Sequence, residues 1–386
     1  MSEHKIAAEL RELASLKDEG ILTDEEFEKK KQELLNLKEP YTGASQSNIT
    51  QSATDTNKQY DLKEVRFEGN ASEFFRIWIV NLFLSLITFG IYSPWAKVQN
   101  TKYLYQNLVI DGHRFNYIAD PIQILKGRIL AVFLLVIYLI ATSYNFALSI
   151  LFPIILFLMA PWIINRSMSF QMRMTTYRNV RFNFEGDYGN SFLYFLLLPA
   201  LTYFTLFLAL PLVLKNMNEY ILNKTKYGDR YFTSNLSTSE FYKTYGIVVG
   251  VSIGVVLLIL IISLISETIG TILIFPAYIL IIAVSAAIVG VMIRNHTYNN
   301  TILSEVASFE SSMQIKPYTF IVFTNILALI FSFGLAYPWV MIRNTKYLAS
   351  TVTVKTEENI DSVIDTISKS DSAILDEVAG AFDLEI

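Results

Sequence analysis

The chain has 386 residues, a formal net charge of −4, and a composition that is 52% hydrophobic and 14% aromatic. It has no cysteine, which excludes disulfides, thiolate metal sites and thiol catalysis. No basic run marks a nucleic-acid surface, and recurring apolar stretches of about 18 residues or more point to a polytopic membrane protein.

Residues 1–38 read as a soluble two-helix hairpin. Leu10, Leu13 and Leu16 fall at helical spacing, and Gly20 stops the first helix. Thr23 is the expected N-cap of the second, with Glu26 completing a capping box. Phe27, Leu34 and Leu35 supply an apolar face. Two short helices bury too little area to stand alone, so self-association is expected. Residues 39–62 are polar, with Pro40 and Gly43, and read as a flexible linker. Nothing in residues 1–60 has the apolar core and cleavage site of a signal peptide, so the N-terminus is expected to be cytoplasmic.

The membrane region is expected over residues 63–354, followed by an acidic tail over 355–386. Its apolar segments are roughly 74–96, 129–147, 149–165, 191–214, 247–265, 269–293 and 318–341. The pairs 129–165 and 247–293 read as helical hairpins with tips at Ser143-Tyr144-Asn145 and Ser266-Glu267-Thr268. Internal repeats organise the region. Pro94-Trp95, Asn100 and Tyr103 return as Pro338-Trp339, Asn344 and Tyr347, each 244 residues on. Asn81 and Asn325, and Gly90 and Gly334, keep that offset. A weaker middle copy places Pro211 and Tyr220 117 residues after Pro94 and Tyr103. The copies run over about 64–180, 181–307 and 308–354, the last one incomplete. Phe67-Glu68 is matched here with Phe309-Glu310.

Short stretches with strand character lie between the apolar segments. Leu108–Ile110 and Arg114–Tyr117 flank an Asp111-Gly112 turn, and 180–184 and 351–354 alternate apolar with polar residues. Strand edges are not tolerated in lipid, so these are expected at the membrane surface. The fold class that results is an all-α polytopic protein with about seven apolar segments and short surface strands.

Two resemblances follow from these residues. Leu13, Leu16, Gly20, Ile21, Leu22, Thr23, Glu25, Glu26, Phe27 and Lys30 resemble the SHOCT module, which implies oligomerisation. Thr88 to Val98, with Tyr103, Gly112, Phe115 and Tyr117 and the acidic ending around Asp376-Glu377, resembles the YjgN family of bacterial inner-membrane proteins. That resemblance implies multi-pass insertion in the inner membrane and no known reaction.

The candidate functional residues are few. Pro94, Trp95, Pro338 and Trp339 read as anchors at a membrane interface, with a kinked gate as the sharper alternative. Asn81 and Asn325 lie inside apolar segments and need polar partners, each other or a free carbonyl, unless they line a polar path. No ionisable residue sits clearly at the centre of an apolar segment, and the three histidines lack metal-ligand spacing. The expectation is therefore a non-enzymatic oligomeric scaffold or envelope protein with no cofactor or metal and with lipid as its partner. A passive channel or transporter built from the repeats is the alternative. Seven spans divide Lys and Arg almost evenly between the two sides. A second topology, in which segments 74–96, 191–214 and 318–341 enter and leave on one face, gathers the positive charge on one side. The length of those segments favours spanning.

Overall fold

A computed structural model describes residues 60–304, 306–357 and 364. The expected SHOCT-like hairpin, including Leu13, Leu16, Gly20, Thr23 and Phe27, lies outside the described residues, as does nearly all of the acidic tail.

The described chain repeats one unit five times: a strand, a helical hairpin, then a strand. Unit one is β1 (Tyr60–Phe67), α1 (Ala71–Ile87), α2 (Ser93–Gln106) and β2 (Leu108–Ile110). Unit two is β3 (His113–Tyr117), α3 (Pro121–Tyr144), α4 (Phe146–Arg173) and β4 (Thr175–Tyr177). Unit three is β5 (Val180–Phe184), then α5 (Tyr188–Phe192), a π turn (Leu193–Leu197) and α6 (Leu198–Phe204), returning through α7 (Leu210–Asn223) and β6 (Thr225–Tyr227). Unit four is β7 (Arg230–Ser234), α8 (Thr238–Ile265), α9 (Glu267–Asn299) and β8 (Thr301–Leu303). Unit five is β9 (Ala307–Ser311), α10 (Ile315–Phe331), α11 (Tyr337–Ser350) and β10 (Val352–Glu357). Each complete copy expected from the sequence therefore holds two units, one short hairpin and one long.

The all-α expectation is overturned by the strands, which form a closed ten-stranded antiparallel barrel. Each strand pairs with its chain neighbour or across its own hairpin, and β1 closes the barrel against β10. The segments looked like isolated surface strands because most are only three to five residues long. Only closure gives each of them partners on both edges. Tight turns join successive units. Asp111 and Gly112 both take positive φ (50° and 73°), as do Arg178 and Asn179 (48° and 67°), the backbone of a type I′ hairpin.

The count of seven spans is also overturned. Among the described residues, four helices are long and apolar enough to cross a membrane: α3, α4, α8 and α9. At 1.5 Å per residue these reach about 36 to 50 Å, enough for a hydrocarbon core of roughly 30 Å. The other three apolar segments each fold back on themselves. Phe89 and Gly90 (φ 49° and 88°), Leu206 and Phe207 (50° and 65°), and Phe333 and Gly334 (51° and 87°) reverse the chain in the left-handed region. A hydroxyl closes each reversal. Thr88 accepts from the Tyr92 amide at 3.0 Å, Thr205 from Ala209 at 3.2 Å, and Ser332 from Ala336 at 2.9 Å. Pro94, Pro211 and Pro338 then open the returning helix, where a missing N–H costs nothing. These turns are built from apolar residues, so hydropathy alone runs straight through them. Ser93, at the tip of the first short hairpin, hydrogen-bonds Arg128, the eighth residue of α3. That tip thus lies level with the opening turns of α3, one of the four long apolar helices.

The hairpins pack side by side in a closed ring, α2 on α3, α4 on α5, α7 on α8, α9 on α10 and α11 back on α1. At the closing seam the Trp78 and Tyr337 rings are 5.8 Å apart. A core of Val65, Phe67, Phe74, Ile342, Ala349, Val352 and Val354 ties barrel to helices there. The outward faces of the long helices are exposed and apolar, which suits lipid contact.

Candidate ligand-binding lumen

Side chains alternate across each strand, and the closed barrel turns one set inward. The residue two before the end of every odd strand faces an even-strand partner: Val65 with Ile110, Phe115 with Tyr177, Phe182 with Tyr227, Phe232 with Leu303, and Phe309 with Val354. All ten line a cavity of about 420 Å³, within the range of small-molecule sites. Four phenylalanines follow one another around it. Phe115 and Phe182 stack at 6.3 Å, Phe182 and Phe232 at 6.4 Å, and Phe232 and Phe309 at 5.9 Å. The tyrosine hydroxyls are used within the wall, Tyr177 donating to the Ile110 carbonyl and Tyr227 to the Tyr177 carbonyl, both at 2.9 Å. The lumen is therefore apolar.

A second tier lies toward the helices. Phe67, Tyr117, Phe184, Ser234 and Ser311 end the odd strands and are all buried. The register corrects the match of Phe309 with Phe67. Phe309 stands in the ring with Val65, and Ser311 is the counterpart of Phe67.

The two ends of the lumen differ in charge. At the turn end, Lys63 pairs with Asp61 and Asp111, each at 2.7 Å. Its bonds to Asp111 and then Asp61 hold the ammonium above the usual lysine range. Ile364 is buried against Val180, Tyr227, Leu303 and Val306 near this end. At the helix end stand Arg294 and Tyr298 of α9 and Thr345, Leu348 and Ala349 of α11. The Arg294 guanidinium lies 4.4 Å over the Tyr298 ring and donates to the Leu348 carbonyl at 3.3 Å. Its Nε is buried without a hydrogen-bond partner. The barrel's outer face carries the ion pairs Arg114–Glu68, Lys226–Glu185 and Lys355–Glu310. Glu185 is held below the usual carboxylate range by Lys226 and by the Tyr231 hydroxyl.

The residues singled out in the sequence lie outside this lumen, in the short hairpins. Tyr103 and Tyr347 pin the entry of their hairpins through their hydroxyls. Asn81 is buried and donates to Asn100 at 3.0 Å within its own hairpin. Asn325 accepts from Arg343 at 3.2 Å, while Asn344 makes no side-chain hydrogen bond among the described residues. Trp95 stacks on Tyr92 at 5.9 Å, and Trp339 lies 5.0 Å under the Arg343 guanidinium. Pro94 and Pro338 are fully buried. The ring residues escaped the sequence reading, although a signal was present. Phe182 and Phe309 follow Val65 by 117 and 244 residues, and Phe232 follows Phe115 by 117.

A family model described as a bacterial protein of unknown function (DUF898) matches residues 62–381. A model of the SHOCT short C-terminal domain matches residues 8–35. Among curated proteins, the chain is 29% identical over 151 residues to the inner membrane protein YjgN of Salmonella typhimurium, covering 38% of each chain. It is 32% identical over 124 residues to the inner membrane protein YjgN of Escherichia coli K12, covering 31% of this chain and 30% of that one. The match thus spans 30–38% of the length of these relatives. No solved structure matches.

Proposed function

This chain belongs to the DUF898 family of bacterial proteins of unknown function, and from that premise we propose that it is a membrane-anchored binding protein holding an apolar molecule in its barrel. One observation carries this reading: ten inward residues from ten strands line an apolar cavity of about 420 Å³, the volume and lining of a small-molecule site. A scaffold needs only packed repeats, whereas this space is lined by at least one residue from every strand. A binding role is thereby favoured over the scaffold. The path expected for transport was polar and lined by Asn81 and Asn325; the cavity is apolar and lined by neither. The role we assign to the lumen is binding.

The inner membrane is the location supported by the relatives' names and the four spanning helices. The barrel is read as cytoplasmic. Lys63, Arg66, Arg114, Arg181, Lys226 and Lys355 lie on its strands, while the tips of both long hairpins carry neither Lys nor Arg. Positive charge gathers on the cytoplasmic side. The N-terminal module then shares that compartment, where it serves self-association.

The test uses the full chain in lipid nanodiscs with an uncharged photoactivatable palmityl alcohol, followed by peptide mapping. Bilayer lipid labels only the helices, so labelling of the strand peptides 175–184 and 225–234 reports on the lumen. Labelling there, lost in Phe182→Asp, is the expected result. Labels confined to helices would overturn the reading.

A further inference from the structure

Arg294 is a cation without a counter-ion at the membrane end of the lumen. No carboxylate pairs with it among the described residues, one carbonyl takes its Nη2 at 3.3 Å, and its buried Nε has no partner. A charge partly drawn out of water, with the Tyr298 ring and one carbonyl beside it but no counter-ion, is costly, and this guanidinium lines the cavity. At the opposite end, the Lys63 ammonium is already neutralised by two carboxylates, and Arg178, which also lines the cavity, has a partner of its own. The lumen is therefore polarised, with an available positive group toward the membrane and an apolar aromatic barrel above it.

The repeat makes the placement specific. Arg294 lies seven residues before β8, and the residues seven before the other even strands are Thr101, Met168, Asn218 and Thr345. One position of five is cationic, and Thr345, which also lines the cavity, adds a hydroxyl beside it. A guanidinium offers a planar fork of donors suited to carboxylate or phosphate oxygens.

We propose that the lumen takes a single-chain anionic amphiphile, its carboxylate or phosphate on Arg294 and its alkyl chain among Phe115, Phe182, Phe232 and Phe309. This rests on the binding role proposed above. The cavity's volume lies at the lower end of small-molecule sites, which favours one chain over the two of a diacyl lipid. Entry from the helix end draws the molecule from the adjoining membrane leaflet with its charged group leaving the interface last.

The experiment is competition against the lumen-labelling palmityl alcohol probe in nanodiscs of neutral phospholipid. The competitors are palmitate, palmityl alcohol, a lysophosphatidic acid and the diacyl lipid phosphatidylglycerol. Charged hydrogen bonds are worth roughly 1.5–3 kcal/mol, or about tenfold and upward in affinity. Palmitate or lysophosphatidic acid is expected to compete at least about tenfold better than palmityl alcohol. Arg294→Gln should abolish that advantage without weakening the alcohol, and Arg294→Lys should keep part of it. Better competition by palmitate assigns a free fatty acid; better competition by lysophosphatidic acid assigns a single-chain phospholipid. Equal competition by acid and alcohol, with lumen labelling intact, overturns the anionic assignment and leaves the lumen role standing. Superior competition by phosphatidylglycerol overturns the single-chain assignment. Failure of every competitor and of the probe to reach the strand peptides removes the lumen role itself. If Arg294→Gln does not fold, the wild-type ratio of acid to alcohol decides.

Discussion

The hydroxyl of Tyr103 accepts the Asn70 amide N–H at 2.8 Å and donates to the Asn70 carbonyl at 3.0 Å. Asn70 is the N-cap of α1, so a residue at the end of the hairpin fixes its beginning. Tyr220 holds Asp187 in the same way at 3.0 and 3.2 Å, and Tyr347 holds Gln314 at 3.3 Å for both contacts. Each tyrosine lies 33 residues after its partner. The three copies differ in burial, and this sets the first prediction. Tyr220 is only 5% exposed and also bonds the buried Ser191 at 2.8 Å. Tyr220→Phe strands those groups and should cost about 1–3 kcal/mol, against about 0.5–1.5 for Tyr103→Phe, where water replaces the hydroxyl. Thermal unfolding in detergent gives the order, and equal losses would contradict it.

Asn81 and Asn325 belong to hairpins that touch at the ring's closing seam, yet their amides serve different partners. Asn81 reaches Asn100, and Asn325 reaches Arg343. Asn81→Leu and Asn325→Leu should therefore add in thermal stability to within about 0.5 kcal/mol. Asn81→Leu and Asn100→Leu share one hydrogen bond, and their double mutant should lose less than the sum. A coupling between Asn81 and Asn325 larger than that within the first hairpin would place the seam differently.

The repeat offsets of 117 and 244 residues and the Asp111-Gly112 turn could all be read from the sequence. So could the two long hairpins, whose tips interrupt the apolar runs with Ser143-Tyr144-Asn145 and Ser266-Glu267-Thr268. The short hairpins could not, because Phe89, Leu206, Phe207 and Phe333 place apolar side chains at reversals. Polar turn chemistry is the usual marker of such a site. Gly90 and Gly334 were the available clue, being glycines at matching positions that require φ near 88°. Barrel closure was out of reach for another reason. Pairing between β1 and β10 joins Tyr60 to Glu357, a contact that no local pattern encodes. The lumen depends on that closure, so Val65 and Phe309 had no visible relation to a site.

Deleting residues 1–38 should reduce oligomer size in detergent while leaving insertion intact, since the four spanning helices all follow residue 120. The basis is the apolar face that the sequence predicts for residues 1–38 and the SHOCT match over residues 8–35. Phe27→Asp is the point-mutation form, because it sets a charge on that face. Light scattering or native gels measure the outcome. An unchanged particle mass in both variants would show that assembly, if any, runs through the membrane region.

Topology offers the most direct test of the architecture. Seven spans would put residue 243 and the C-terminal end of the repeats on opposite sides of the membrane. In the barrel, Lys63 of β1 pairs with Val354 of β10, and Lys243 lies in the first turns of α8, next to β7. All three then stand on one side, since every hairpin leaves the barrel and returns to it. Closed strand pairing cannot be divided by a bilayer. Reporter fusions after Lys243 and after Val354 should therefore report the same compartment. Charge placement predicts that this compartment is the cytoplasm, with basic residues on the strands and none at the tips of 143–145 and 266–268. A cysteine placed at Tyr144 should react with an impermeant thiol reagent from the opposite side, a clean assay because the chain has no native cysteine. Opposite sides for the two fusions would break the barrel. The same side for both, with Tyr144 also on it, would leave the barrel intact and remove the four spans.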